Sequence, residues 1–150
     1  MQHPDVRFPH LLPVDASIWR QHLLAHGHDY TLFEYDQRVG EGRDPGDTYD
    51  DNIRTMALQL SKRRIDCTGY HSRGVDIFEV THSAGFTALG QLIAYPILYA
   101  RTFGTSRSIR PVLITAHIQS DIEPVIKALR IPYFLYPLSE SLSEQRSQPN

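Results

Sequence analysis

The stretch Arg63-Arg64-Ile65-Asp66-Cys67-Thr68-Gly69-Tyr70, followed by His71-Ser72-Arg73-Gly74 and then Val75-Asp76-Ile77-Phe78-Glu79-Val80-Thr81, decides the fold. Apolar, β-branched and aromatic residues flank a short polar segment ending in glycine, which predicts a hairpin: one strand from about Met56 to Tyr70, another from Val75 to Thr81. A turn centred between Ser72 and Arg73 sets Asp66 across from Glu79 and Arg64 across from Thr81. Directly opposed side chains lie roughly 5 Å apart at Cβ, where like charges destabilise the pair. Two carboxylates so placed need a cation between them. Mg²⁺ would serve, because it binds one or two carboxylates and completes its shell with water and phosphate oxygens; so would the neighbouring guanidinium of Arg64.

Working outward, Pro4, Pro9 and Pro13 predict an extended arm over residues 1–14. Asp15 is placed to cap a helix with an apolar stripe of Ile18, Trp19, Leu23 and Leu24 that stops at Gly27. Tyr30 to Val39 predicts a strand, and Arg43 to Asn52 a surface loop. Beyond the hairpin, Phe86 to Phe103 has helical periodicity with an internal Pro96 that should kink it, Pro111 to His117 is a short strand, Ser120 caps a helix through Leu129, and Ile131 to Tyr136 is the last strand. The order α, three strands, α, strand, α, strand predicts an α/β domain over 15–138 with a mixed sheet flanked by helices. The polar stretch 139–150 reads as a tail.

The 150 residues, 41% hydrophobic and 21% charged, suit one domain with one core. The longest apolar run, Leu89 to Tyr99, is broken by Gly90, Gln91 and Pro96 and falls short of the roughly 20 residues a bilayer crossing needs. Met1-Gln2-His3-Pro4-Asp5 does not resemble the start of a secretory signal, and a single Cys67 permits no internal disulfide. The net charge of -2 conceals ten acids against five bases up to Ser61, and nine bases against five acids from Lys62 to Leu138. Contact with nucleic acid would therefore run through the second half.

The run Arg63-Arg64-Ile65-Asp66, the turn, Glu79-Val80-Thr81 and a following helix with Gln91-Leu92-Ile93-Ala94-Tyr95 resembles the PD-(D/E)xK nuclease superfamily. The Q-x-x-x-Y spacing is similar to its RecB-type and lambda-exonuclease-type branches, and the resemblance spans about residues 15–117 with the α-β-β-β-α-β core of that superfamily. It implies that Asp66, Glu79 and the Val80 carbonyl hold Mg²⁺ or Mn²⁺, and that Gln91 and Tyr95 face DNA or the site. The lysine that would polarise the attacking water is replaced by Thr81, and Phe86 to Phe103 offers no relocated lysine. Arg64 is the nearby substitute, able to stabilise charge but not to accept a proton. The chain also resembles small proteins of tailed bacteriophages through Lys62-Arg63-Arg64-Ile65-Asp66, Glu79-Val80, Ala88-Leu89-Gly90-Gln91 and Tyr95.

Two expectations follow. The first is a nuclease-derived, catalytically degenerate virion component at the neck or head-to-tail connector, in the virion or host cytoplasm. It would contact other virion proteins and copies of itself in a symmetric ring, without a metal. The second is a Mg²⁺- or Mn²⁺-dependent deoxyribonuclease in DNA processing, repair or head completion, using Asp66, Glu79, Arg64, Gln91 and Tyr95. Other features read more plainly. His22 and His26 have a zinc-compatible i, i+4 spacing without a recognisable third ligand. Asp44, Asp47, Asp50 and Asp51 lack calcium-loop spacing. Cys67 reads as a buried thiol.

Overall fold

Residues 8, 10–104 and 106–139 are described by the computed structural model. Five strands form one sheet in the order β1 (Leu32–Val39), β2 (Arg63–His71), β3 (Gly74–Ala84), β4 (Ser108–Ile118), β5 (Tyr133–Leu135). The first three are antiparallel, and β4 and β5 join parallel, which makes the sheet mixed. Parallel neighbours need a crossover. Helix α3 (Phe86–Phe103) supplies it between β3 and β4, and α4 (Glu123–Ala128) between β4 and β5.

Alternation along β3 builds a core on each face. Phe78 and Val80 pack with Cys67, Val112 and Ile114 against Ala16, Ile18 and Trp19 of α1 (Pro13–His26). Val75 and Ile77 face the other way, toward Tyr95 and Tyr99 of α3. Further along that face Leu89 and Leu92 meet Leu113, Ile122 and Ile126. Trp19 is fully buried, 5.0 Å from the Phe78 ring, and its indole N–H donates to the Tyr35 hydroxyl at 3.0 Å. Cys67 is a buried free thiol. No helix of the described residues is long and apolar enough to cross a membrane.

Several boundaries differ from the sequence expectation. Residues 56–60 belong not to β2 but to a helix, α2 (Asp51–Leu60), inserted between β1 and β2. The Asp50 carboxylate caps it by accepting from the Ile53 N–H at 3.0 Å, and Ile53, Met56, Ala57 and Leu60 fall at helical rather than strand spacing. Helix α1 starts three residues early, with Pro13 in its first turn, so Asp15 lies inside the helix and is not its cap. Of the predicted arm, Phe8 is buried in the core and Leu11 packs beside it; residues 1–7 and 9 lie outside the described residues, as do 140–150 of the predicted tail. Ile122, not Ser120, precedes α4. Helix α3 runs unbroken through Pro96 to Gly104, whose φ of 60° ends it in the left-handed region.

Candidate active site

The β2–β3 register is the predicted one from His71↔Gly74 to Cys67↔Phe78, but the recorded ladder stops there. Instead of an Asp66↔Glu79 pair, the Asp66 carboxylate accepts from the Val80 N–H at 3.1 Å. A side-chain oxygen thus satisfies a backbone donor that the ladder leaves open. The same level is irregular on the other side of β2. Tyr35↔Cys67 and Gln37↔Ile65 pair, Asp36 between them does not, and Asp36 has φ of 57°. Aspartate tolerates this left-handed conformation better than most residues. Its consequence is a switch of faces: Tyr35 and Cys67 pack on the α1 side, whereas Val39 and Ile65 pack on the α3 side. Irregularities of this kind re-aim side chains next to functional sites.

Asp66 therefore sits where β2 parts from β3. Glu79 follows Ile77 onto the α3 face of β3. With the Gln91 amide turned so that its nitrogen faces Glu79, it donates to both Glu79 oxygens, at 2.6 and 3.1 Å, while its oxygen accepts from the Tyr95 hydroxyl at 3.2 Å. Burial pushes the Glu79 carboxyl well above the usual carboxylate range, and the charges of Asp66 and Asp15 push it further. Burial also raises Asp66; the Val80 N–H and Arg64 oppose that rise, whereas Asp15 and Asp36 add to it. Burial likewise raises the Tyr95 phenol, although Gln91 and the charge of Arg63 oppose it.

The structure brings Asp66, Glu79, Gln91 and Tyr95 into one neighbourhood. Arg64 does not stand between the carboxylates, and that expectation is corrected. Its Nη1 is 2.8 Å from His10 Nδ1 and its Nε 3.6 Å from Asp36 Oδ1, while His10 Nε2 lies 3.1 Å from Asp36 Oδ2. Since guanidinium only donates, His10 Nδ1 accepts from Arg64, which leaves Nε2–H to donate to Asp36. Thr81 lies beside Thr115 of β4 and carries no charge. The residue that sequence reasoning missed is Asp15. Its Oδ1 accepts from the His82 N–H at 2.8 Å and lies 3.3 Å from His82 Nδ1, tying α1 to β3 beside the carboxylates. Pro13 was the available signal, because proline in the first turn places Asp15 inside the helix.

Elsewhere several of the polar groups singled out in the sequence have structural partners. His22 is buried with Nδ1 2.8 Å from the Tyr136 hydroxyl, and burial, then His26, lowers its pKa to about 4. Asp44 and Asp47 both bind Arg54. At the far end of β3, buried Asp76 accepts from Arg110 at 2.9 and 2.7 Å and from Tyr30 at 2.6 Å, with His71 at 3.2 Å. Burial alone would raise Asp76; these partners, Arg110 foremost, hold it below the usual range. Among the described residues no three His, Cys, Asp or Glu side chains form a ready-made metal cluster. A two-carboxylate site remains compatible with Mg²⁺, which keeps water and substrate oxygens in its shell.

No protein family matches the chain, and no curated protein matches it significantly. Among solved structures it is similar to one described as "Structure of EndoMS-dsDNA2 complex", with a TM-score of 0.49 and 10% identity over 93% of this chain. The chain spans half the length of that protein, 50% of it being covered.

Proposed function

We propose that this domain is a Mg²⁺- or Mn²⁺-dependent deoxyribonuclease, slowed by the absence of a lysine at Thr81. The observation that carries this reading is the Asp66–Glu79 pair: two carboxyls packed at a split in the sheet, each made more basic by its burial and Glu79 further by the charge of Asp66, with no cationic side chain bonded to either among the described residues. Charge of one sign concentrated in this way is costly unless a cation offsets it. Asp66, Glu79 and the Val80 carbonyl would hold the ion. Bound there, a divalent metal polarises a phosphoryl oxygen and lowers the pKa of a coordinated water. Gln91, fixed between Glu79 and Tyr95, orients the Glu79 carboxylate. Replacing one cationic donor by Thr81 costs on the order of 10²-fold in rate.

Thr81 also favours a second reading, the virion component that has lost catalysis. That reading needs the carboxylates neutralised internally, and Arg64, the nearest candidate, is engaged by Asp36 and His10. Contacts with virion proteins or a symmetric ring of copies belong to this second reading.

The deciding experiment titrates Mn²⁺ into wild type, Asp66→Asn and Glu79→Gln by calorimetry and assays plasmid nicking on the same samples. Micromolar to millimolar binding with slow nicking, both lost in the variants, is expected. Nicking that persists unchanged in both variants, or no binding and no nicking in wild type, overturns the proposal. In the latter case, finding the protein in purified particles would support the virion reading.

A further inference from the structure

A cleft of about 900 Å³ opens where the end of β1, the loop after it, the start of β2 and the second half of α3 meet. Arg43, Arg63 and Arg101 line it, with Glu41 as the one acid of the lining among the described residues. All three arginines are exposed. The arginines that form ion pairs among the described residues are others: Arg54, Arg64 and Arg110. Among the described residues the cleft thus carries an excess of two positive charges not offset within it.

Its walls are tied together. The Gly40 N–H donates to Thr102 Oγ1 at 3.1 Å, joining β1 to α3, and the Arg43 N–H donates to Ser61 Oγ at 2.5 Å. Gly42, at φ of 75°, passes so close to the Leu58 carbonyl that a Cβ there would stand 2.3 Å from it. A side chain at 42 would push the Arg43 loop away from the cleft.

The cleft adjoins the carboxylates along two elements at once. On α3, Gln91, Tyr95, Leu98 and Thr102 recur at helical spacing on one face, and Arg101 is six residues past Tyr95, about 9 Å along the axis. On β2, Arg63 precedes Asp66 by three residues, about 10 Å along the strand. Both routes put the arginines about three base steps of duplex from Asp66 and Glu79, at 3.4 Å per step. The charge of Arg63 already reaches the Tyr95 hydroxyl.

From this placement we infer that the Arg43–Arg63–Arg101 cleft grips the phosphodiester backbone of DNA on one side of the Asp66–Glu79 pair and sets which phosphate meets the carboxylates. The inference rests on the deoxyribonuclease reading for the identity of its ligand. Guanidinium groups suit phosphate because their planar donors engage two oxygens together. Such contacts position the strand without reading sequence.

The test measures binding of a fluorescent 20-base-pair duplex by anisotropy in EDTA, where a metal-dependent enzyme does not cut, across a series of salt concentrations. Arg63→Ala/Arg101→Ala is expected to bind at least tenfold more weakly at low salt and to lower the slope of log affinity against log salt by about 2, one per lost phosphate contact. Arg63→Lys/Arg101→Lys should keep the slope and lose less affinity. Arg54→Ala, outside the cleft, should leave both unchanged. An unaltered slope in the double alanine variant overturns the inference. Asp66→Asn separates the two ideas: retained DNA binding with lost nicking upholds both, and a slope independent of the arginines in an enzyme that still nicks removes the cleft alone.

Discussion

Glu79→Gln should make the protein more stable at neutral pH when no divalent metal is present. The unfolded chain titrates Glu79 near 4.5, and the folded carboxyl titrates higher because of burial, Asp66 and Asp15. Between those two values the folded state holds more protons than the unfolded one, so raising the pH through this window lowers stability. At pH 7.5 the window open above 4.5 is about 3 units, a ceiling of about 4 kcal/mol at 1.4 kcal/mol per unit. Glu79 is only half-buried, and solvent screening brings the expected gain to about 2 kcal/mol. Glutamine keeps an oxygen to accept from Gln91, so the substitution removes charge without removing that contact. For a chain of this size the gain is roughly 4–8 °C in Tm. Thermal melts at pH 4.5 and 7.5 in EDTA should show the variant gaining on wild type only at the higher pH. Millimolar Mn²⁺ should stabilise wild type and not the variant. A Glu79→Gln protein less stable than wild type at pH 7.5 in EDTA refutes the reasoning.

Buried His22 gives the opposite slope: its pKa falls from 6.5 to about 4 on folding, so stability present above pH 6.5 is lost as the pH drops toward 4, on the order of 3 kcal/mol. Denaturant melts at pH 7 and 4.5 should show that loss shrinking in His22→Gln. Arg110→Ala leaves the buried Asp76 carboxylate with Tyr30 and His71 alone and should cost about 3 kcal/mol; Asp76→Asn in that background should recover part of it, and full additivity of the two changes would count against the pairing. Thr81→Lys should raise plasmid nicking at least tenfold with Mn²⁺. Unchanged nicking in that variant would mean that the missing lysine does not limit the rate.

The hairpin register, the alternation of β3 and the extent of α3 were legible because each follows from a local period or turn that the residues carry themselves. Asp66 and Glu79 could be singled out on that basis, whereas Gln91 and Tyr95 were picked out by the Q-x-x-x-Y resemblance. The position of Arg64 could not be read. A long flexible cation takes the nearest acid, and that acid, Asp36, belongs to β1, a strand the hairpin alone does not place. Nor does any local pattern announce the face switch at Asp36 and Asp66, since it depends on two strands breaking alternation at the same level. Helix α2 was hidden because its last residues run directly into the strand pattern of β2 and its cap, Asp50, falls in a segment that reads as a surface loop. Asp15 was misread because a capping residue and a first-turn residue share the same preferences.

Asp66 carries two roles that substitution can separate. One oxygen accepts from Val80 N–H and so finishes the edge of β3 where β2 leaves it; the carboxyl as a whole supplies negative charge beside Glu79. Asp66→Asn and Asp66→Ala both remove the charge, and only the first keeps an acceptor for that N–H. An unsatisfied buried donor costs roughly 1–3 kcal/mol, so Asp66→Ala should be less stable than Asp66→Asn by that amount at every pH between 5 and 8. Both should lack Mn²⁺ binding and nicking. If the alanine and asparagine variants are equally stable, the Val80 bond does not support the split in the sheet. If they differ as expected while both are inactive, the same side chain holds the strands apart and faces the ion between them, which explains why the hairpin opens at this residue.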